Sequence, residues 1–243
     1  DIAYRHGLVV IEDSCESLGS EYKGVKAGNT QFADAAVFAF YPNKQITTGE
    51  GGMVVTDNER IAFLCKSMRN QGRGEAGGWL SHERLGYNYR IDELSAALGI
   101  AQMSRIEEII LKRKKVANMY SKSLSKIPGV KLPYIAPEVN KMSWFVYVIR
   151  VGVDEPTPKR QSKVRDHVME RFKDAKIGCR PYFTPIHLQP FYKTELGLTE
   201  GMFPVTEHAG RTSIAIPFHN HITEEEVQYV AEVLETALEE VVS

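Results

Sequence analysis

At 243 residues, 43% hydrophobic and 25% charged, the chain has the composition of a globular protein large enough to bury a core without disulfide or metal staples. A formal net charge of −1 gives no overall field to draw in nucleic acid or an anionic membrane, and no apolar run reaches bilayer-spanning length. Cys15, Cys65 and Cys179 are scattered and odd in number, which argues against a disulfide framework or a zinc knuckle and fits a reducing, cytoplasmic setting.

Residues 1–7 read as the last turns of a helix closed by Gly7, with no beginning, so a substantial segment is expected to precede Asp1 in the whole protein. The apolar run 8–11 has the pattern of a buried parallel strand. Strands are predicted over 35–40 and 52–56, and a helix over 58–68 with Ile61, Leu64, Cys65 and Met68 on one face. This alternation predicts a sheet with helices packed on it. Residues 71–79 carry four glycines and read as a loop; Trp79 and, just beyond it, His82 either gate a site or lie in plain surface loop. Asp92 is placed as the N-cap of one long helix, with Ile91, Leu94, Leu98, Ala101, Ile106, Ile109 and Ile110 at helical spacing, running past Tyr120 as a connector between domains.

The second half changes character, punctuated by Pro128, Pro133 and Pro137. A strand is predicted over 143–151, a helix over 162–176, a strand over 179–183 and a loop over 185–190. Thr223 and Glu226 form a capping box opening the last helix, whose apolar face is Val227, Val230, Leu234, Ala237 and Val241. No internal repeat interrupts this order.

The stretch 38–52, Phe-Ala-Phe-Tyr-Pro-Asn-Lys-Gln-Ile-Thr-Thr-Gly-Glu-Gly-Gly, carries the most chemistry. Lys44 follows a short apolar strand and precedes small residues and glycines, where backbone can approach a ligand and an amine can act as a nucleophile. The plain alternative is a lysine in a hairpin loop. Upstream, Asp13 and Glu16 sit at the end of the strand at 8–11, the end at which open α/β sheets bind ligands. A carboxylate there can pair with a protonated pyridine nitrogen; alone, Asp13 reads equally well as the cap of the next turn.

Four stretches together resemble the DegT/DnrJ/EryC1/StrS family of fold-type I pyridoxal-phosphate sugar aminotransferases: 12–19, 38–52, Arg-Leu-Gly-Tyr-Asn-Tyr-Arg-Ile-Asp-Glu-Leu-Ser-Ala-Ala-Leu-Gly at 84–99, and Arg-Pro-Tyr-Phe-Thr-Pro-Ile-His-Leu-Gln-Pro-Phe-Tyr at 180–192. The last is typical of the nucleotide-sugar, perosamine-type branch. The resemblance implies an α/β fold: residues 1–115 as the remainder of the large cofactor-binding domain with its connecting helix, and 116–243 as a small α+β domain. It implies that Lys44 carries pyridoxal 5'-phosphate as a Schiff base, that Asp13 partners the pyridine nitrogen, and that Glu16 lies near the phenolic oxygen. Ala39 and Tyr41 stand where many members have Ser or Thr and His, so Ala39 removes one expected phosphate contact. Asn88 matches an asparagine that reaches the cofactor phosphate of the neighbouring subunit, which implies a homodimer with shared sites. Arg180, Tyr182 and His187 border the sugar in relatives. In relatives the region before this chain supplies a phosphate cup and a ring-stacking aromatic residue.

The implied reaction moves the amino group of glutamate, released as 2-oxoglutarate, to a nucleotide-linked keto-deoxysugar, at C4 in this branch. Rival readings are a 3-keto sugar or cyclitol as acceptor, or a non-catalytic regulator or partner subunit that keeps the fold. Among other signals, 112–115 is basic but reads as a solvated helix face beside Glu107 and Glu108. His219 and His221 read as loop histidines rather than metal ligands, and Cys15 as a packing residue. Neither nucleic acid, membrane nor metal is an expected partner.

Overall fold

The computed structural model describes residues 1–74 and 81–242, and Trp79 lies outside them. The chain divides into two units: Asp1–Leu111 with Ala136–Phe145, and Lys112–Ile135 with Val146–Ser243.

The first unit opens on helix α1 (Ile2–His6), which Gly7 ends in the left-handed conformation at φ +61°. Strands β1 (Ile11–Asp13), β2 (Glu21–Tyr22), β3 (Val25–Lys26), β4 (Ala35–Ala39) and β5 (Gly52–Val55) follow, then helices α2 (Glu59–Arg69) and α3 (Glu93–Met103) and the start of α4 (Ile106–Leu124). Strand β6 (Val139–Lys141) returns to this unit from later in the chain. One sheet has the order β1-β4-β5, with β1 parallel to β4 and β4 antiparallel to β5; the other has the order β3-β2-β6. Phe40, Ile46 and Ile109 are buried against Leu18, Phe38 and Ile106.

Two expectations change here. The strand read at 8–11 begins only at Ile11, and Leu8, Val9 and Ile11 are 59%, 72% and 67% exposed. Among the described residues β1 has a strand, β4, on one side only. The single long helix is two, broken at Ser104 and Arg105. The Ser104 hydroxyl donates to the Ala101 carbonyl (2.9 Å), and the Arg105 amide tightens onto Gln102 (3.0 Å) in place of the α-helical partner. Asp92 caps α3 as expected, its Oδ1 accepting from the Ser95 amide at 2.9 Å.

In the second unit α4 leads to β7 (Tyr147–Arg150), α5 (Pro158–Asp174), β8 (Arg180–Pro181), a 3₁₀ turn (Ile186–Leu188), α6 (Pro190–Leu196), α7 (Pro204–Thr212), β9 (Ser213–Ile216) and α8 (Glu224–Val242). The sheet is antiparallel with β9 in the centre, in the order β7-β9-β8, and α5 packs against both α7 and α8. Val168, Phe172, Ile149, Ile214 and Leu234 are fully buried. The Tyr120 hydroxyl, inside this core, donates to the Pro217 carbonyl at 2.8 Å. The capping box forms: Glu226 accepts from the Thr223 amide at 2.9 Å and Thr223 accepts from the Glu226 amide at 3.2 Å. The strand read at 143–151 is shorter because Trp144 takes φ +53°, which interrupts the extended run.

Leu234→Ala is expected to cost about 2–5 kcal/mol, because a fully buried side chain leaves a cavity. Tyr120→Phe should cost about 1–2 kcal/mol, by leaving the Pro217 carbonyl without its donor. Urea midpoints check the order; a larger loss for Tyr120→Phe would contradict this packing.

Candidate active site

The loop after β4 is tied at its base. The Phe40 carbonyl accepts from the Thr48 amide (2.9 Å) and the Thr47 hydroxyl (3.0 Å). Gln102 of α3 grips the same loop from the side: its Oε1 accepts from the Thr47 amide at 3.2 Å, and its Nε2 donates to the Thr47 carbonyl. Gln45, Ile46 and Thr48 are buried, so the loop that carries Lys44 is folded inward rather than solvated. Lys44 therefore does sit in a hairpin loop, as the plain alternative held, but its side chain is only 13% exposed.

Lys44 Nζ lies 3.1 Å from Glu16 Oε1 and 4.2 Å from the centre of the Phe145 ring. An ammonium over an aromatic face is attracted by the ring quadrupole. Phe145 is set there by a buried polar clamp that the sequence reading passed over. Gln45 Nε2 donates to the Glu16 carbonyl (2.6 Å) and to Ser143 Oγ (2.9 Å), while Ser20 Oγ donates to Ser143 Oγ (2.8 Å) and accepts from the Ser143 amide (3.1 Å). The segment 136–145, far along the chain, is thus fastened to both loops that hold Glu16 and Lys44. Polar residues separated by about 100 positions leave no local signal of such a clamp.

Asp13 ends β1 and is exposed. Its Oδ1 accepts from the Cys15 amide at 3.1 Å, so it does cap the next turn. The Cys15 thiol and amide, helped by the charge of Lys44 and opposed by slight desolvation, hold its carboxyl below the usual carboxylate range. Turn-capping and anion presentation therefore coexist in one side chain. Burial first, and then Asp13, push the Cys15 thiol up to about 11, which leaves almost no thiolate near neutrality.

Ala39 closes β4 opposite Gly52, and Tyr41 is exposed in the lysine loop, its carbonyl accepting from the Lys44 amide at 2.9 Å. Asn88 is exposed; it pairs with Asn70 through backbone and accepts from Arg90 Nη2 at 3.1 Å. The crossing of these two segments is tight: a Cβ on Gly72 would stand 1.8 Å from the Arg84 carbonyl oxygen, and one on Gly86 would stand 2.0 Å from the Gly72 nitrogen. Both positions therefore demand glycine. His82 Nδ1 lies 2.7 Å from the Gln71 carbonyl in the same crossing.

Of the residues nominated in sequence, Asp13, Glu16 and Lys44 come together, with Ala39 and Tyr41 on the same strand–loop unit. Asn88 is placed by its own backbone pairing. In the second unit, Arg180 is exposed and bonds the Cys179 carbonyl (3.1 Å), Tyr182 donates its amide to Ser213 (3.3 Å), and His187 is buried. Among the described residues no group of three or more His, Cys, Asp or Glu side chains could hold a metal, and no helix is long and apolar enough to cross a membrane. The basic run at 112–115 is not all solvated: Arg113 is buried with its guanidinium 5.6 Å from the Phe218 ring centre.

The chain belongs to the DegT/DnrJ/EryC1/StrS aminotransferase family, whose model matches residues 1–235. These are fold-type I, pyridoxal-phosphate-dependent aminotransferases, and this chain has the fold of the corresponding part of such an enzyme. It is 32% identical to a GDP-perosamine synthase of Caulobacter vibrioides, over 98% of this chain and 61% of that protein. It superposes with TM-score 0.86 and 26% identity on the Helicobacter pylori aminotransferase involved in pseudaminic acid biosynthesis, covering 98% of this chain and 62% of the other. The PLP-form structure of a Streptococcus pneumoniae protein described as a sugar aminotransferase gives TM-score 0.85 at 25% identity, covering 97% and 59%. The chain spans about 60% of the length of the curated relatives it matches.

The Cys15 environment gives a pH test. With the thiol shifted from 9.0 to about 11 in the folded protein, its alkylation by iodoacetamide at pH 8 should run about a hundredfold slower than in urea. Because the folded value is raised, this group's contribution to stability holds below pH 9.0 and is lost as pH rises towards about 11. Equal rates, read by mass spectrometry of the Cys15 peptide, would contradict the half-buried, Asp13-paired thiol.

Proposed function

We propose that this chain is the lysine-bearing part of an aminotransferase that moves the amino group of glutamate to a nucleotide-linked keto-deoxysugar. The observation that carries the reading is the inward-folded Lys44, within 3.1 Å of Glu16 and within the field of Asp13. The donor set fits pyridoxal phosphate: an amine for its aldehyde carbon, an ionised carboxylate for its pyridine nitrogen, and a second carboxylate, Glu16, on the side of its phenolic oxygen. The bound cofactor supplies an electron sink for the carbon whose proton is removed.

The residues of the chain divide the remaining work. Lys44 would hold the cofactor through its amine, and the same amine, when free, would serve as the base and acid that takes up and returns the substrate's proton. Asp13, an exposed carboxylate whose titration Cys15 lowers further, would maintain the charge at the ring nitrogen. Phe145 and Glu16 fix where the amine stands. Ala39 and Tyr41 flank the cofactor without a phosphate-binding hydroxyl from Ala39, and the side-chain amide of Asn88 serves the phosphate of a neighbouring subunit in a homodimer. The exposed Leu94, Leu98 and Ile100 on α3 and the stacked Tyr87–Tyr89 pair, with ring centres 4.9 Å apart, favour such a dimer, since large exposed apolar patches mark contact surfaces. Residues 1–115 are then the remainder of the large domain and 116–243 the small one, with Arg180, Tyr182 and His187 serving the sugar. The likeness to GDP-perosamine synthases and to a UDP-4-amino-4,6-dideoxy-N-acetyl-beta-L-altrosamine transaminase of Campylobacter jejuni supports transfer at C4; a 3-keto sugar or a cyclitol is the alternative acceptor. The setting is cytoplasmic.

Two relatives bear regulatory names, a sensory transduction protein of Saccharopolyspora erythraea and a pleiotropic regulatory protein of Geobacillus stearothermophilus, both 32% identical. They are the ground for a non-catalytic reading. The retained lysine, aspartate and glutamate set favours catalysis.

Full-length protein mixed with pyridoxal phosphate should show a visible absorbance band that shifts on adding glutamate. Lys44→Ala should lack the band, and Asp13→Asn should keep it while slowing the shift by about 100-fold or more. A folded protein with no band, or with a band indifferent to glutamate, would overturn the aminotransferase reading.

A further inference from the structure

Glu207, in the first turn of α7, is 3% exposed, yet it is not isolated. Its Oε1 accepts from His187 Nε2 at 3.0 Å, from the Gly201 amide at 2.8 Å and from the Phe203 amide at 3.3 Å. Its Oε2 faces Arg211 Nη1 at 3.5 Å. Desolvation pushes this carboxyl up, but the donations from His187, Gly201, Phe203 and Arg211 outweigh it and hold the group below its ordinary value. One carboxylate thus fastens the 3₁₀ turn at His187 and the loop at 201–203, the two ends that bracket α6. The His187 ring also packs against Phe203, with centres 4.7 Å apart.

The helix that carries Glu207 is itself anchored. Gln161 of α5 accepts through Oε1 from Arg211 Nε (3.3 Å) and faces His208 Nδ1 (3.1 Å), and Arg165 Nη1 donates to the Gly210 carbonyl at 2.8 Å. Gly210 admits the start of the same loop. A Cβ there would stand 2.9 Å from Pro185 Cδ and 3.0 Å from the Phe183 carbonyl oxygen. The stretch 183–203 is therefore held on α7 at three points, while Phe183, Ile186 and Phe191 stay 54%, 57% and 66% exposed. A buried charge adds little net stability over an apolar substitute, but directional bonds to two backbone amides and an imidazole select one loop conformation. The exposed aromatic rings are what such a rigid loop offers to a sugar or base face.

We propose that Glu207 is a positioning residue for acceptor recognition: through His187, Gly201 and Phe203 it fixes the segment that follows Arg180 and Tyr182 and presents the exposed Phe183, Ile186 and Phe191 to the nucleotide-sugar. His187, with its Nε2 committed to Glu207, serves the sugar by holding this segment. The inference rests on the reading that the segment borders the sugar.

The test uses full-length protein loaded with pyridoxal phosphate and two amino donors, glutamate and GDP-perosamine, each read as loss of the visible band, beside backbone hydrogen exchange without substrate. In Glu207→Ala, amides over 186–203 should exchange at least about tenfold faster, as local opening becomes easier. The half-saturating concentration of GDP-perosamine should rise about tenfold or more with its limiting rate changed less than about twofold, while the glutamate response stays as in the wild type. Glu207→Gln, which keeps an acceptor for both amides and stands in if the alanine variant does not fold, should recover much of the loss; His187→Leu should reproduce it. Unchanged exchange would overturn the latch, and faster exchange with an unchanged GDP-perosamine response would overturn the positioning role. A wild type that answers neither donor fails the aminotransferase reading instead. A wild type that answers only glutamate fails the choice of sugar, and the exchange result then decides the latch alone.

Discussion

The ion pair between Lys44 and Glu16, 3.1 Å apart beneath the Phe145 ring, is the point on which the rest of the first unit converges. A lysine on a flexible surface loop would spread its amine over many rotamers and several ångströms. Here three separate stretches are folded so that it cannot. The Phe40 carbonyl closes the loop at its base, Gln102 of α3 grips Thr47, and Gln45 reaches back to Glu16 and across to Ser143. None of these bonds is large alone, about 1 kcal/mol net for a typical hydrogen bond. Together they convert a hairpin loop into a fixed mount, the preorganisation that the proposed attachment of a cofactor at Lys44 requires.

The second unit solves a related problem with a different device. There the exposed segment after β8 has few apolar anchors of its own, and a buried carboxylate supplies directional ones. In both units, short loops with outward-facing side chains are immobilised by a small number of buried polar groups on neighbouring elements. The sheets and helices supply rigid bodies; the chemistry-bearing residues sit at their edges, held by glutamine, serine and glutamate.

Much of the first unit was legible because its signals are local. Gly7 and Asp92 mark helix ends by the physics of their own turns, and the stretch around Lys44 is continuous in sequence. The capping box at Thr223 is equally local. Where reasoning failed, the deciding partner was distant. The break at Ser104 is the exception, a hydroxyl choosing the carbonyl three residues back over solvent. Helix α7 contains threonines and a mid-helix glycine, poor helix signals, and Gly210 makes sense only once Pro185 is seen against it. Asp13 shows a further limit: cap and charge were posed as alternatives, and the side chain does one with Oδ1 while keeping its charge. Ser143, Phe145 and Glu207 lie in none of the four stretches, and Gln45, inside one of them, gave no local sign of its partners, since each is defined by what it touches.

The measurement that tests the central claim most directly is borohydride reduction of the full-length protein loaded with pyridoxal phosphate, followed by peptide mass mapping. The placement of Lys44 predicts one phosphopyridoxyl group per chain, on the peptide containing Lys44, and none after Lys44→Ala. Label on another lysine, or no stable label in a folded, cofactor-treated protein, would contradict it.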